Sequence, residues 1–181
     1  MSPSTTSAAS ILVVPGSLRT DAASTKIAHA AQALAPTATF AAGLDALPLY
    51  NEDLDTDPAL PAVAALRAQV AAADGVLVVS PAHNGSISAA LKNAIDWLSR
   101  PHGTCALLGK PTALLVAGYS PTSVETHLEQ ILRAAGAKVL PTTGRTLNLR
   151  TFDGQQPEQA PAVQAALTHA LGALQIEDGS S

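Results

Sequence analysis

Residues Gly75 to Arg100 read GVLVVSPAHNGSISAALKNAIDWLSR: a β-branched run, a turn-rich loop and a helix-period segment in direct succession. Val76, Leu77, Val78 and Val79 form an unbroken apolar run, the pattern of a strand covered on both faces in a parallel sheet. Pro81 stops the ladder, and Asn84, Gly85 and Ser86 supply backbone freedom and polar groups to the loop. Leu91, Ala94, Ile95 and Leu98 then recur at i, i+3, i+4 and i+7, so one stripe faces the sheet while Lys92, Asn93 and Asp96 stay off it. In an open α/β sheet, a loop at a strand's carboxyl end borders the crevice where ligands bind.

The same alternation runs through the rest of the chain. Ile11 to Val14 read as a strand ending at Pro15-Gly16-Ser17, followed by a helix carrying Ile27, Ala30, Ala31 and Leu34. Thr37 to Ala41 predict a peripheral strand, Gly43 to Pro61 a long polar loop, and Val63, Leu66 and Val70 the next helix. Thr112 to Ala117 form another buried strand, Val124, Leu128, Ile131, Leu132 and Ala135 a helix stopped at Gly136, and Lys138 to Leu140 the last strand. Val163, Leu167, Ala170, Leu171 and Leu174 mark the final helix. Strict alternation of strands and helices predicts an α/β, flavodoxin-like three-layer sandwich around a five-stranded parallel sheet of order 2-1-3-4-5.

Length and charge narrow the function classes. The 181 residues, 47% of them apolar, fit a single domain, with loose tails expected at about 1–9 and 176–181. A net charge of −4 and the absence of a basic run argue against a nucleic-acid partner. No apolar run could span a bilayer, and the Ser/Thr/Ala-rich start lacks a secretory signal pattern. Cys105 stands alone without a zinc spacing, so a cytoplasmic location and no metal site are expected.

Three loops offer chemistry. Gly16-Ser17-Leu18-Arg19 combines a tight turn, a hydroxyl, a guanidinium and a helix start, which reads as a phosphate site or as a plain turn capped by Ser17. It matches neither the Walker pattern nor the three-glycine dinucleotide fingerprint. The loop Pro81-Ala82-His83-Asn84-Gly85-Ser86 can present amide and backbone groups to a planar heterocycle, and it borders the same crevice. Gly118-Tyr119-Ser120-Pro121 supplies a third wall, with Tyr119 either a stacking surface or a half-exposed loop aromatic. His83, in a loop and off any apolar face, is a candidate proton donor to a reduced acceptor or a group packed beside the ring. Trp97 reads as core or as subunit interface.

Gly16-Ser17-Leu18-Arg19, Leu47-Pro48-Leu49-Tyr50-Asn51-Glu52-Asp53, Asn84-Gly85-Ser86-Ile87 and Leu91-Lys92-Asn93-Ala94-Ile95-Asp96-Trp97 together resemble the NADPH-dependent FMN reductase family, which includes quinone, chromate and azo-dye reductases. The resemblance implies that Ser17 and Arg19 hold the FMN phosphate and that Pro81 to Ser86 lie against the isoalloxazine ring, with hydrogen bonds from Asn84 and Gly85. Ser24 stands where the family pattern has Asn, Ala22 where it has Ser, and Ala82-His83 where it has Glu-Tyr. The implied protein is an oxidoreductase using FMN and NAD(P)H to reduce a small acceptor, a quinone or free flavin, by ping-pong hydride transfer, as a homodimer or homotetramer. A diverged member without flavin and a flavodoxin-type electron carrier are the rival readings.

Overall fold

A computed structural model describes residues 9–152 and 154–178. In chain order the elements are β1 (Ile11–Pro15), α1 (Ala23–Leu34), β2 (Thr39–Phe40), α2 (Pro61–Ala72), β3 (Gly75–Pro81), α3 (Ala89–Leu98), β4 (Pro111–Gly118), α4 (Thr122–Ala134), β5 (Lys138–Val139), β6 (Thr146–Asn148) and α5 (Pro161–Asp178). The sheet is parallel and ordered β2-β1-β3-β4-β5, as the alternation predicts.

Successive residues of a strand point to opposite faces, and here both faces are covered. Leu12, Val14, Val76, Val78, Leu114 and Val116 meet Leu66, Leu91, Trp97 and Leu128 of α2, α3 and α4 in one core layer. Ile11, Val13, Leu77, Val79, Ala113 and Leu115 meet Ile27, Ala31, Val163, Leu167 and Leu174 of α1 and α5 in the other. Leu34, predicted on the buried stripe of α1, is 42% exposed at the helix's last turn.

The fifth strand position is split, a departure from the five-strand expectation. β5 pairs with the start of β4 at Pro111 and Thr112, and β6 with its end from Val116 to Gly118. Between them Pro141 has no N–H to donate and Gly144 takes φ +69°, so the chain leaves the ladder and returns. Arg145 anchors the return, donating to the Leu140 carbonyl at 2.8 Å and to the Glu125 and Glu129 carboxylates of α4. Of the expected tails, most residues lie outside the described ones; Ala9 is buried, and α5 continues to Asp178.

Candidate active site

The site begins where β1 ends. A Cβ on Gly16 would stand 3.0 Å from Leu91 Cδ2 and 3.1 Å from both Pro81 Cδ and Ser80 Cα, so only glycine lets this turn lie against β3 without displacing a neighbour. The Gly16 N–H donates to Val79 O at 2.8 Å. Ser88, which caps α3 by accepting from Leu91 N at 3.1 Å, donates its hydroxyl to the Gly16 carbonyl. The turn is thus held from the neighbouring strand and from a helix cap.

Beyond the turn, Ser17 Oγ accepts from Arg19 N at 3.2 Å, and Thr25 Oγ1 donates to Arg19 O at 2.8 Å. α1 starts with Ala22 at its N-cap, and no side chain caps it. Its first-turn N–H groups therefore remain available, with the partial positive charge of the helix end behind them. Ser24 in that turn is 2% exposed, and its Oγ has no hydrogen-bond partner among the described residues. A buried hydroxyl left unpaired costs about 1–3 kcal/mol, so an acceptor atom brought to it gains that back. An uncapped helix start, an orphan hydroxyl and the exposed Arg19 guanidinium together suit an anion.

The loop after β3 is a miniature hairpin. His83 and Ser86 exchange both backbone hydrogen bonds at 2.8 Å, while Asn84 at φ +49° and Gly85 at φ +78° form the two-residue tip. Asn-Gly is the preferred pair for such a turn because both positions need positive φ. Ser86 Oγ lies 3.2 Å from His127 Nδ1, a hydrogen bond that ties the hairpin to α4. At the end of β4, a Cβ on Gly118 would stand 2.5 Å from Ala82 Cβ, so the two loops touch.

These pieces surround a cleft of about 360 Å³ at the carboxyl ends of β1, β3 and β4. Of the candidate residues, Arg19, Ser24, Pro81, Ala82, His83, Gly118 and Tyr119 line it. Ser17, Asn84, Gly85 and Ser86 are not on its lining: Ser17 is engaged in its own turn, Asn84 and Gly85 sit at the exposed hairpin tip, and Ser86 bonds His127. Asp21, Ala22, Ala23, Ala117 and Leu149 also line it and were not among the candidates, Leu149 being delivered by β6. A depression of about 240 Å³ beside Arg100 and Cys105 lies at the opposite edge, against the C-terminal ends of α3 and α4, where helix charge disfavours anions.

The long loop 43–61 is pinned to the fold by α3. Asn93 Nδ2 and Trp97 Nε1 donate to Pro48 O at 2.9 and 2.8 Å, and Asn93 Oδ1 accepts from Tyr50 N at 2.7 Å. Tyr50 packs edge-on against Trp97 and accepts from Arg100 Nε at 3.0 Å. Trp97, 1% exposed, is core within this chain. The helix motif therefore acts by shaping a loop, with none of its residues on the cleft lining.

A parallel sheet of this order, with an anion-suited helix start and two touching loops bordering a cleft at its switch point, defines a flavodoxin-like α/β protein. Residues 9–148 match the family model for NADPH-dependent FMN reductase, and the chain belongs to that family. It is 44% identical over 123 residues to a 2-hydroxy-1,4-benzoquinone reductase of Burkholderia sp, a match covering 66% of this chain and 65% of that protein, so slightly under two thirds of the relative is spanned. It is 32% identical to a quinone reductase of Escherichia coli strain K12, over 79% of this chain and 87% of that protein. The flavoenzyme NAD(P)H:(acceptor) oxidoreductase FerB of Paracoccus denitrificans shares the fold, with a TM-score of 0.80 at 24% identity over 93% of this chain and 98% of that chain.

Proposed function

We propose that this protein binds FMN in the cleft and uses NAD(P)H to reduce a quinone or a similar small acceptor. The observation that carries the reading is the buried, unpartnered Ser24 hydroxyl beside the uncapped start of α1. It supports a phosphate there, held by first-turn N–H groups, Ser24 and Arg19, with Ser17 shaping the turn. Pro81, Ala82, His83 and Gly118 then form the wall for the ring system, with Asn84, Gly85 and Ser86 fixing the hairpin behind it.

Bound FMN would supply the redox centre between nicotinamide and acceptor. The overall change balances as NAD(P)H plus quinone plus one proton giving NAD(P)+ and hydroquinone. The protein's part is to position the ring, leave one face open for reductant and acceptor in turn, and offer a proton from His83 at the acceptor oxygen. The relatives named as quinone reductases support a quinone as acceptor. No helix among the described residues is long and apolar enough to cross a membrane. A cytoplasmic homodimer or homotetramer is part of the proposal, and light scattering on purified protein checks the subunit number.

The test is a visible spectrum of the purified protein before and after adding FMN, then anaerobic addition of NADPH or NADH, then initial rates with quinones. Flavin uptake, bleaching by NAD(P)H and parallel double-reciprocal lines are expected. No flavin uptake would overturn the reading in favour of a diverged, flavin-free member. Uptake without NAD(P)H oxidation would make the protein an electron carrier.

A further inference from the structure

The outer wall of the cleft holds a ring, Tyr119, and a cation just outside the lining stands against that ring; phosphate binding leaves both unused. Tyr119 is 63% exposed at the cleft mouth and also lines the shallower depression that continues over the start of α4. Arg150 Cζ lies 5.2 Å from the centroid of that ring. Its guanidinium has no carboxylate partner among the described residues.

The sheet register builds this pair. β6 sets Asn148 beside Gly118. Asn148 Oδ1 accepts from Arg150 N at 3.0 Å, and its carbonyl accepts from the Thr151 hydroxyl at 2.8 Å, which fixes the turn carrying Arg150 over the residue after Gly118. Leu149, between them, lines the cleft. The guanidinium on the cleft lining itself, Arg19, belongs to the helix-start side, and the lining carboxylate, Asp21, is two residues from it.

We propose that Tyr119 and Arg150 form an acceptor-recognition wall that selects aromatic acceptors bearing an ionised oxygen, a carboxylate or an ionised ring hydroxyl, over neutral ones. The inference rests on the reading of the cleft as a reductase site and adds the substrate class. The tyrosine ring offers a stacking face, and the planar guanidinium offers paired N–H donors to a carboxylate or enolate oxygen. Their mutual cation–π contact already orders the guanidinium, which lowers the entropy lost when an anion binds.

Redox-inert 2-naphthoate and 2-naphthamide, which differ in charge, are titrated by calorimetry into the flavin-loaded and the flavin-free protein and into Arg150→Gln, Arg150→Lys and Tyr119→Leu. The native chain should prefer the naphthoate by roughly tenfold, the size of one charge-assisted contact. Arg150→Gln should abolish the preference, Arg150→Lys should retain part of it, and Tyr119→Leu should weaken both ligands. In turnover, the ratio of kcat/KM for 2-hydroxy-1,4-naphthoquinone to that for its 2-methoxy ether should fall about tenfold in Arg150→Gln, carried by KM. Equal affinity of the native chain for the two naphthyl ligands, or a preference that survives Arg150→Gln, overturns the proposal. So does loss of discrimination between NADPH and NADH with the acceptor ratio unmoved, which would assign Arg150 to the reductant's phosphate. Circular dichroism of each variant controls for folding. Failure of the flavin reading shows separately, as absent flavin uptake, because the naphthyl titrations are also run without flavin.

Discussion

The indole Nε1 of Trp97 donates to the carbonyl of Pro48 at 2.8 Å, joining a buried helix residue to a loop 49 positions upstream. Asn93 shares that carbonyl, and Arg67 completes the clamp by donating to Trp97 O and pairing with Asp55 at 2.9 Å. Trp97→Phe keeps most of the buried volume and deletes the donor. Its expected cost is about 1–2 kcal/mol. Thermal unfolding reads the loss, and hydrogen exchange should show it concentrated in residues 43–61.

Ser24→Ala separates a ligand role from a folding role. Because the hydroxyl is buried and unpaired, its removal should leave the flavin-free protein as stable as before or slightly more so. Loss of one donor to an anion should weaken FMN binding about tenfold. Flavin fluorescence titration and melting of the flavin-free form check the two arms; a destabilised flavin-free form with unchanged FMN affinity would reverse the assignment.

Gly118→Ala drives a methyl group to within 2.5 Å of Ala82 Cβ. The two loop backbones must separate, at an expected cost of about 1–3 kcal/mol. Denaturant unfolding measures it, and flavin affinity should fall with it because the ring wall opens.

Glu129 accepts from Arg133 at 2.7 and 2.9 Å and also contacts Arg145; these hydrogen bonds, Arg133's first, hold its carboxyl below its ordinary value of 4.5, although burial opposes them. A carboxylate with a depressed folded pKa adds stability above its unfolded pKa and loses it as pH falls through the folded value. The contribution should therefore be intact at pH 7 and decline below about 4.5. Glu129→Gln should lower the urea midpoint at pH 7 and flatten its decline between pH 5 and about 3.

His83→Phe retains an apolar surface at the cleft and removes the proton donor. Turnover with quinones should fall about tenfold, less than the usual 10²–10⁴ for general acids because solvent reaches this exposed position. Unchanged turnover with every acceptor would exclude the proton-donor role.

The strand order, both core layers and the helix stripes were legible because burial on two faces demands long apolar runs and a 3.6 period. Val76 to Val79 and Leu91 to Leu98 carry those patterns openly. Arg19, Pro81 to His83, Gly118 and Tyr119, which line the cleft, were legible as candidates because they lie at or after strand ends at the switch point, and Ser24 was legible only through the family pattern. β6 was not: Thr146, Leu147 and Asn148 are too few and too polar to signal a strand, and their pairing depends on β5 having left that edge. Through that pairing Leu149 reaches the cleft and Arg150 the ring of Tyr119, about thirty residues further along the chain, a separation no local pattern reports.

Gly75 to Arg100 by itself determined a buried strand, a polar loop at its carboxyl end and a helix against the sheet, because hydrophobic period and turn chemistry act over a few neighbouring residues. Only the tertiary structure decided how that loop is shaped and what it touches. It folded Asn84 and Gly85 into an exposed, tight hairpin tip, left Ala82 against Gly118 and His83 on the lining, and turned Trp97 into a clamp on Pro48. Those outcomes depend on close approaches between distant segments, whose distances are set by packing of the whole sheet and its helices.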